Sequence, residues 1–197
     1  NPVTELDYEN SFQLLVAVVL SAQATDKSVN IATKELFKLC KTPQDFIDLG
    51  EDKLKEYIKT IGLFNNKAKF IIETSKILVN KFNSKIPDNF DDLTSLPGVG
   101  RKSANVLLNV VFDKETIGVD THIFRVSNRI GMVSAQTVEK TEEDLLEVIP
   151  KDYLKNAHHL IVLHGRYVCK AKKPACKTCV IEKYCEYEKK NLPKEKS

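Results

Sequence analysis

The sequence predicts an all-α protein. Apolar residues recur three and four apart along almost every segment. Capping residues precede these segments and glycines follow them. No stretch alternates apolar and polar residues as a half-buried strand does, and no internal repeat is present.

Ser11 to Gln23 is apolar nearly all round and reads as a buried helix. Asp26 caps a helix reaching about Cys40, with Val29, Ala32, Leu36 and Leu39 on one face. Thr42-Pro43 is a cap followed by a first-turn proline, and Gly50 stops that short helix. Another short helix runs to about Thr60 and is broken at Gly62. Asn65 or Asn66 starts a long amphipathic helix through Phe82, and Ser84 to Asn89 is a loop around Pro87. A short helix, Asp91 to Ser95, leads into Leu96-Pro97-Gly98-Val99-Gly100. A further helix follows from Arg101 to Phe112. Asp120 caps the helix Thr121 to Ile130, which Gly131 ends. Gln136 to Val148 and Asp152 to Tyr167 complete the helices. A cysteine-rich loop and a polar tail, frayed from Lys189, close the chain.

The 197 residues are enough to bury a core in one large or two small domains. The longest apolar run, Leu14 to Leu20, is too short to cross a bilayer. Asn1-Pro2-Val3 opens no basic-then-apolar leader. A cytoplasmic protein without a membrane partner is therefore expected. With no initiator Met, a few native residues are expected ahead of Asn1. The formal charge of +3 permits nucleic acid without arguing for it. Its distribution says more. Arg166, Lys170, Lys172, Lys173 and Lys177 fall in a stretch without an acidic residue up to Ile181. Such a run is either a solvated face or a set of phosphate contacts.

Five cysteines are present. Cys40 stands alone in a helical pattern and reads as a small buried hydrophobe. The others follow Cys169-x6-Cys176-x2-Cys179-x5-Cys185. Without secretion signals, this clustering argues for metal rather than disulfides. With one close pair only, zinc and an iron–sulfur cluster fit the spacing about equally. His158, His159 and His164 have no partner at metal spacing and read as structural. His122 either orients Asp120 or is satisfied locally.

Leu96 to Ala104 carries a more specific signal. Pro97 cannot continue the helix before it. Gly98 and Gly100 allow backbone angles and approaches that a side chain forbids. The next helix opens at once, so its first amides can hold an anion such as a DNA phosphate. Gly-x-Gly alone reads first as an ordinary helical hairpin.

Together with Val119-Asp120-Thr121-His122, the stretch Leu96 to Asn109 resembles the helix–hairpin–helix and aspartate loop of the endonuclease III family. Leu20 to Asp26 and Ile61 to Ala68 resemble the same family, and the likeness runs from Asn1 to about Tyr187. It implies a DNA glycosylase with abasic-site lyase activity that excises oxidised pyrimidines such as thymine glycol. The partner would be double-stranded DNA with damaged bases or abasic sites, bound by a monomer associated with the nucleoid. The implied architecture is a helical barrel with a helix–hairpin–helix (residues 4–114) and a smaller iron–sulfur domain (115–197 plus 1–3). An active-site cleft would lie between them.

The resemblance also assigns roles. Lys102 is the nucleophile that forms a Schiff base at the sugar; the helix dipole at its position disfavours a cation and so favours the free amine. Asp120 is the carboxylate that stabilises the cationic sugar and helps move the lysine proton. Gln23 and Leu63, which alone would read as a helix end and a core leucine, become wedges that fill the gap left by a flipped base. Leu96, Gly98, Val99, Gly100 and Arg101 join Lys170, Lys172 and Lys173 as DNA contacts. Cys169, Cys176, Cys179 and Cys185 become ligands of a [4Fe-4S] cluster, which would lower the formal charge to about +1. Three other readings compete. An adenine glycosylase sibling would lack lysine at the position of Lys102 and carry a further C-terminal domain. A pyrimidine-dimer glycosylase would share every motif. A non-catalytic DNA-binding sensor module would not require Lys102 and Asp120 together.

Overall fold

The computed structural model describes residues 4–192, and among them there are helices and turns without a strand. The chain divides into two compact units after Phe112. Residues 1–3, expected to return to the second unit, lie outside the described residues, as does the end of the tail, 193–197.

The first unit is organised around α1 (Ser11–Ser21), buried at every position from Phe12 to Leu20. Three of its leucines, Leu14, Leu15 and Leu20, are fully buried, each contributing about 1.5–3 kcal/mol. Its one deeply buried amide is satisfied: Gln13 Nε2 donates to the carbonyls of Phe37 at 2.8 Å and Cys40 at 3.1 Å. The helix stops at Ser21, before the expected Gln23. Thr25 caps the next helix by accepting from the Ser28 amide, so the chain must turn between them. Gln23 takes a left-handed φ of 56° to make that turn.

In α2 (Asp26–Leu39) the cap is Thr25, one residue before the expected Asp26. Val29, Ala32 and Leu36 are buried as expected, but Leu39 is 61% exposed. The helix ends there, and the extended C-cap residue Cys40 takes the inward position instead, 3% exposed. In α3 (Pro43–Leu49) a reciprocal capping box joins Thr42 and Asp45, and Gly50 closes the helix at φ 79°. Leu54 and Ile58 bury one face of α4 (Glu51–Ile58). The long helix α5 (Phe64–Lys81) begins before either expected asparagine. Its N-cap is Leu63, left-handed at φ 59° and without a side-chain cap. Asn89 caps α6 (Phe90–Thr94), starting it one residue early, and α7 (Arg101–Phe112) keeps its expected bounds.

The second unit has its own core of Ile117, Val119, Ile123, Val126, Leu145 and Leu154. Asp120 and Gly131 bound α8 (Thr121–Ile130) as expected. Thr137 caps α9 (Val138–Val148), so that helix starts after the expected Gln136. The last helix, α10 (Lys151–Leu163), does not run on regularly to Tyr167. It widens into a π turn over His164–Val168. Gly165 explains the approach made there: a Cβ on it would stand 3.0 Å from His122 Cβ and 3.1 Å from Val126 Cγ2. The turn delivers Cys169, whose amide donates to the His164 carbonyl at 2.7 Å.

Candidate functional site

The hairpin between α6 and α7 is built from the core outward. Leu96 and Val99 are 2% and 5% exposed. Their side chains anchor the turn in the core. The Val99 amide donates to the Leu96 carbonyl at 3.1 Å, and Thr74 Oγ1 on α5 holds the Pro97 carbonyl at 3.1 Å. Gly98 sits at φ 80°, where a Cβ would come within 3.1 Å of Val19 and 3.2 Å of Phe70. Gly100 is different: a Cβ there meets nothing within 4 Å. Packing does not require that glycine, and it leaves the entrance to α7 open on the solvent side. Arg101 is exposed, with its guanidinium 5.4 Å from the centre of the Phe90 ring. Lys102 is the second residue of α7 and also exposed.

In the second unit, Asp120 is the N-cap of α8. Its Oδ1 accepts from the amides of His122 at 2.8 Å and Ile123 at 2.9 Å. Its Oδ2 lies 3.6 Å from His122 Nδ1. The capping oxygen and the oxygen facing the imidazole are thus distinct, which fixes the direction of the carboxylate.

The four clustered cysteines are in no disulfide and line one partly open pocket, shared with Ile130, His164 and Tyr187. Among the described residues, no three His, Cys, Asp or Glu side chains are placed to hold a metal ion. His164 Nε2 lies 3.7 Å from Cys179 Sγ, and burial holds this imidazole below its ordinary pKa. Two arginines of α8 fasten the loop. Arg125 donates to the carbonyls of Gly165 at 3.0 Å and Cys169 at 3.2 Å. Arg129 donates to the carbonyls of Lys170 at 2.9 Å and Ala171 at 3.1 Å, and to Cys169 Sγ at 3.7 Å. Tyr187 covers its guanidinium at 4.5 Å. Lys170, Lys172, Lys173 and Lys177 remain exposed on that loop.

Gln23 and Leu63 belong to the first unit, and both are exposed, Leu63 at 59%. Both have left-handed backbones although neither is glycine. Reading the sequence did not single out Lys67, Arg125 or Arg129. A signal for Lys67 did exist: it falls on the apolar stripe of α5 with Ile71 and Leu78. The arginines gave none, because their partners are main-chain carbonyls some forty residues later.

Residues 16–151 match the profile of the HhH-GPD superfamily base excision DNA repair protein. Endonuclease III of Rickettsia prowazekii (strain Madrid E) is 56% identical over 186 residues, 94% of this chain and 88% of that protein. The chain belongs to the endonuclease III family. Endonuclease III of Escherichia coli (strain K12) is 51% identical over 190 residues, covering 96% of this chain and 90% of its own. The solved structure of a trapped endonuclease III–DNA covalent intermediate matches with a TM-score of 0.87 at 43% identity, over 93% of this chain and 86% of that one. A thermostable thymine-DNA glycosylase shares the fold at a TM-score of 0.84 and 23% identity, over 91% and 85% of the two chains. The all-helical architecture is thus that of the endonuclease III family.

Proposed function

We propose that this chain is a bifunctional DNA glycosylase and abasic-site lyase of base excision repair, acting on oxidised pyrimidines such as thymine glycol in duplex DNA. The observation that carries this reading is Lys102. An exposed amine stands in the first turn of α7, directly behind a turn whose buried Leu96 and Val99 hold it rigid. The family relationship over nearly the whole chain supports the same reading.

The chemistry then follows from the residues. The damaged nucleotide leaves the stack, because a nucleophile cannot reach C1′ inside a duplex. Lys102 Nζ attacks C1′, the glycosidic bond breaks, and the base departs with the bonding electrons. Opening of the sugar leaves an iminium on Lys102. That iminium acidifies the C2′ hydrogens; loss of one expels the 3′ phosphate by β-elimination. Asp120 offers a carboxylate to offset positive charge on the sugar and to take the proton that Lys102 must lose. Arg101 and the opening of α7 at Gly100 take a phosphate, as helix N-termini do.

In this reading Cys169, Cys176, Cys179 and Cys185 hold a [4Fe-4S] cluster. Four cysteine sulfurs lining one pocket are the donor set that such a cluster takes, and the family relationship supports it over zinc. Bound by these four thiolates, the cluster would crosslink a loop too short to have a core of its own. Lys170, Lys172 and Lys173 on that loop then meet the DNA backbone.

Borohydride trapping on a thymine glycol duplex tests this. Wild-type protein should give a covalent adduct and Lys102→Ala none. If cluster-replete wild-type protein gives no adduct, the lyase assignment fails. An adduct formed only on pyrimidine-dimer duplexes would move the substrate class.

A further inference from the structure

Lys67 is 4% exposed, and its ammonium bonds to main chain. Nζ donates to the carbonyls of Leu20 at 2.9 Å and Ala22 at 2.6 Å. These acceptors lie at the C-terminal end of α1, where helix carbonyls lack intrahelical partners and the dipole favours a cation. The backbone of Lys67 is committed as well, its amide donating to the Leu63 carbonyl at 3.1 Å. That amide bond is the first helical bond of α5, which any residue but proline would make; what the lysine side chain adds is a tie from this start of α5, one turn after Leu63, to the turn that carries Gln23.

These bonds act on the torsions that aim the wedges. The Ala22 carbonyl belongs to the peptide plane preceding Gln23, so fixing it restrains the left-handed φ of 56° at Gln23. The Leu63 carbonyl belongs to the plane following Leu63, so fixing it restrains ψ, which is 27°. A left-handed non-glycine residue is strained and persists only where its surroundings over-determine it. Burial pushes the Lys67 ammonium below its ordinary pKa, the cost of placing a cation there. A surface lysine carries no such cost, and an apolar residue would fill the same stripe of α5 without it.

We propose that Lys67 is the positioning residue of the base-flipping wedge, holding the Gln23 turn and the Leu63 turn in one arrangement so that both side chains enter the stack together. The proposal rests on the repair-glycosylase reading and deepens it. Arginine is longer and planar and fits two carbonyls at this depth poorly. Methionine keeps the volume and takes this donor from the buried Leu20 carbonyl and the part-buried Ala22 carbonyl.

The experiment compares Lys67→Met and Lys67→Gln with wild type on two substrates. In one, thymine glycol is fully paired; in the other it lies in a mismatched bubble between duplex arms, where little stacking must be broken. Single-turnover excision from the paired duplex should fall by about tenfold to a hundredfold in Lys67→Met, the scale of a misaimed group. Excision from the bubble should stay within about twofold, and Lys67→Gln, which keeps one amide donor, should lie between on the duplex. If Lys67→Met does not fold, as judged by thermal melting, the ratio of the two rates in Lys67→Gln decides. An unchanged ratio, or equal loss on both substrates, overturns the proposal and leaves the glycosylase reading intact. No product from wild type on either substrate removes that reading, and the proposal with it.

Discussion

Arg129 and Cys169 are joined by a hydrogen bond from Nη1 to Sγ at 3.7 Å, forty residues apart in sequence. The same guanidinium holds the carbonyls of Lys170 and Ala171 and lies against Tyr187. One side chain thus fastens the start of the cysteine loop to α8 and offers a positive charge to the first thiol. Replacing it with alanine leaves two carbonyls and a sulfur without their donor. Charge-assisted bonds of this kind are worth about 1.5–3 kcal/mol each before relaxation. Arg129→Ala should therefore lower the iron and sulfide retained per chain after purification and lower the melting temperature. Full retention with an unchanged melt would mean that Arg125 and the thiols hold the loop without Arg129.

Asp120 separates folding from chemistry. Asparagine caps helices as well as aspartate does, so Asp120→Asn should keep both amide bonds and melt within about 0.5 kcal/mol of wild type. Its excision rate should nonetheless fall by about a hundredfold or more, because the carboxylate charge is gone. Asp120→Ala should lose both properties, with a capping cost of about 0.5–2 kcal/mol. Normal excision by Asp120→Asn would reduce this residue to a cap.

The two hairpin glycines should respond oppositely. Gly98→Ala places a Cβ against Val19 and Phe70 in a left-handed backbone, so it should destabilise by about 1–3 kcal/mol. Gly100→Ala meets nothing within the protein and should melt like wild type. If a phosphate approaches that backbone, Gly100→Ala should weaken DNA binding all the same. Chemical denaturation and fluorescence anisotropy read the two effects separately.

The lysines of the cysteine loop make a prediction about salt. If Lys170, Lys172 and Lys173 each neutralise a phosphate, each substitution by alanine should reduce the slope of log affinity against log salt by about 0.9. The effect should be equal on damaged and undamaged duplex, since phosphate contacts carry no base information. A slope that stays constant through the triple variant would make this run a solvated face.

The amino-acid sequence by itself determined what depends on neighbours along the chain. The bounds of α7 and α8, the capping box at Thr42, the stops at Gly50 and Gly131 and the all-helical class follow from short-range capping and from the helical period. The positions of Lys102 in a first turn and Asp120 at a cap are of this local kind. Tertiary structure decided what depends on partners distant in sequence. It buried Lys67 under the end of α1, exposed Leu39 and Leu63, drove Leu96 and Val99 inward, and set Arg129 on carbonyls of the cysteine loop. The division has a physical cause. A cap is complete within about four residues, whereas a buried charge is tolerated only where acceptors from another segment meet it, and spacing along the chain records no such meeting.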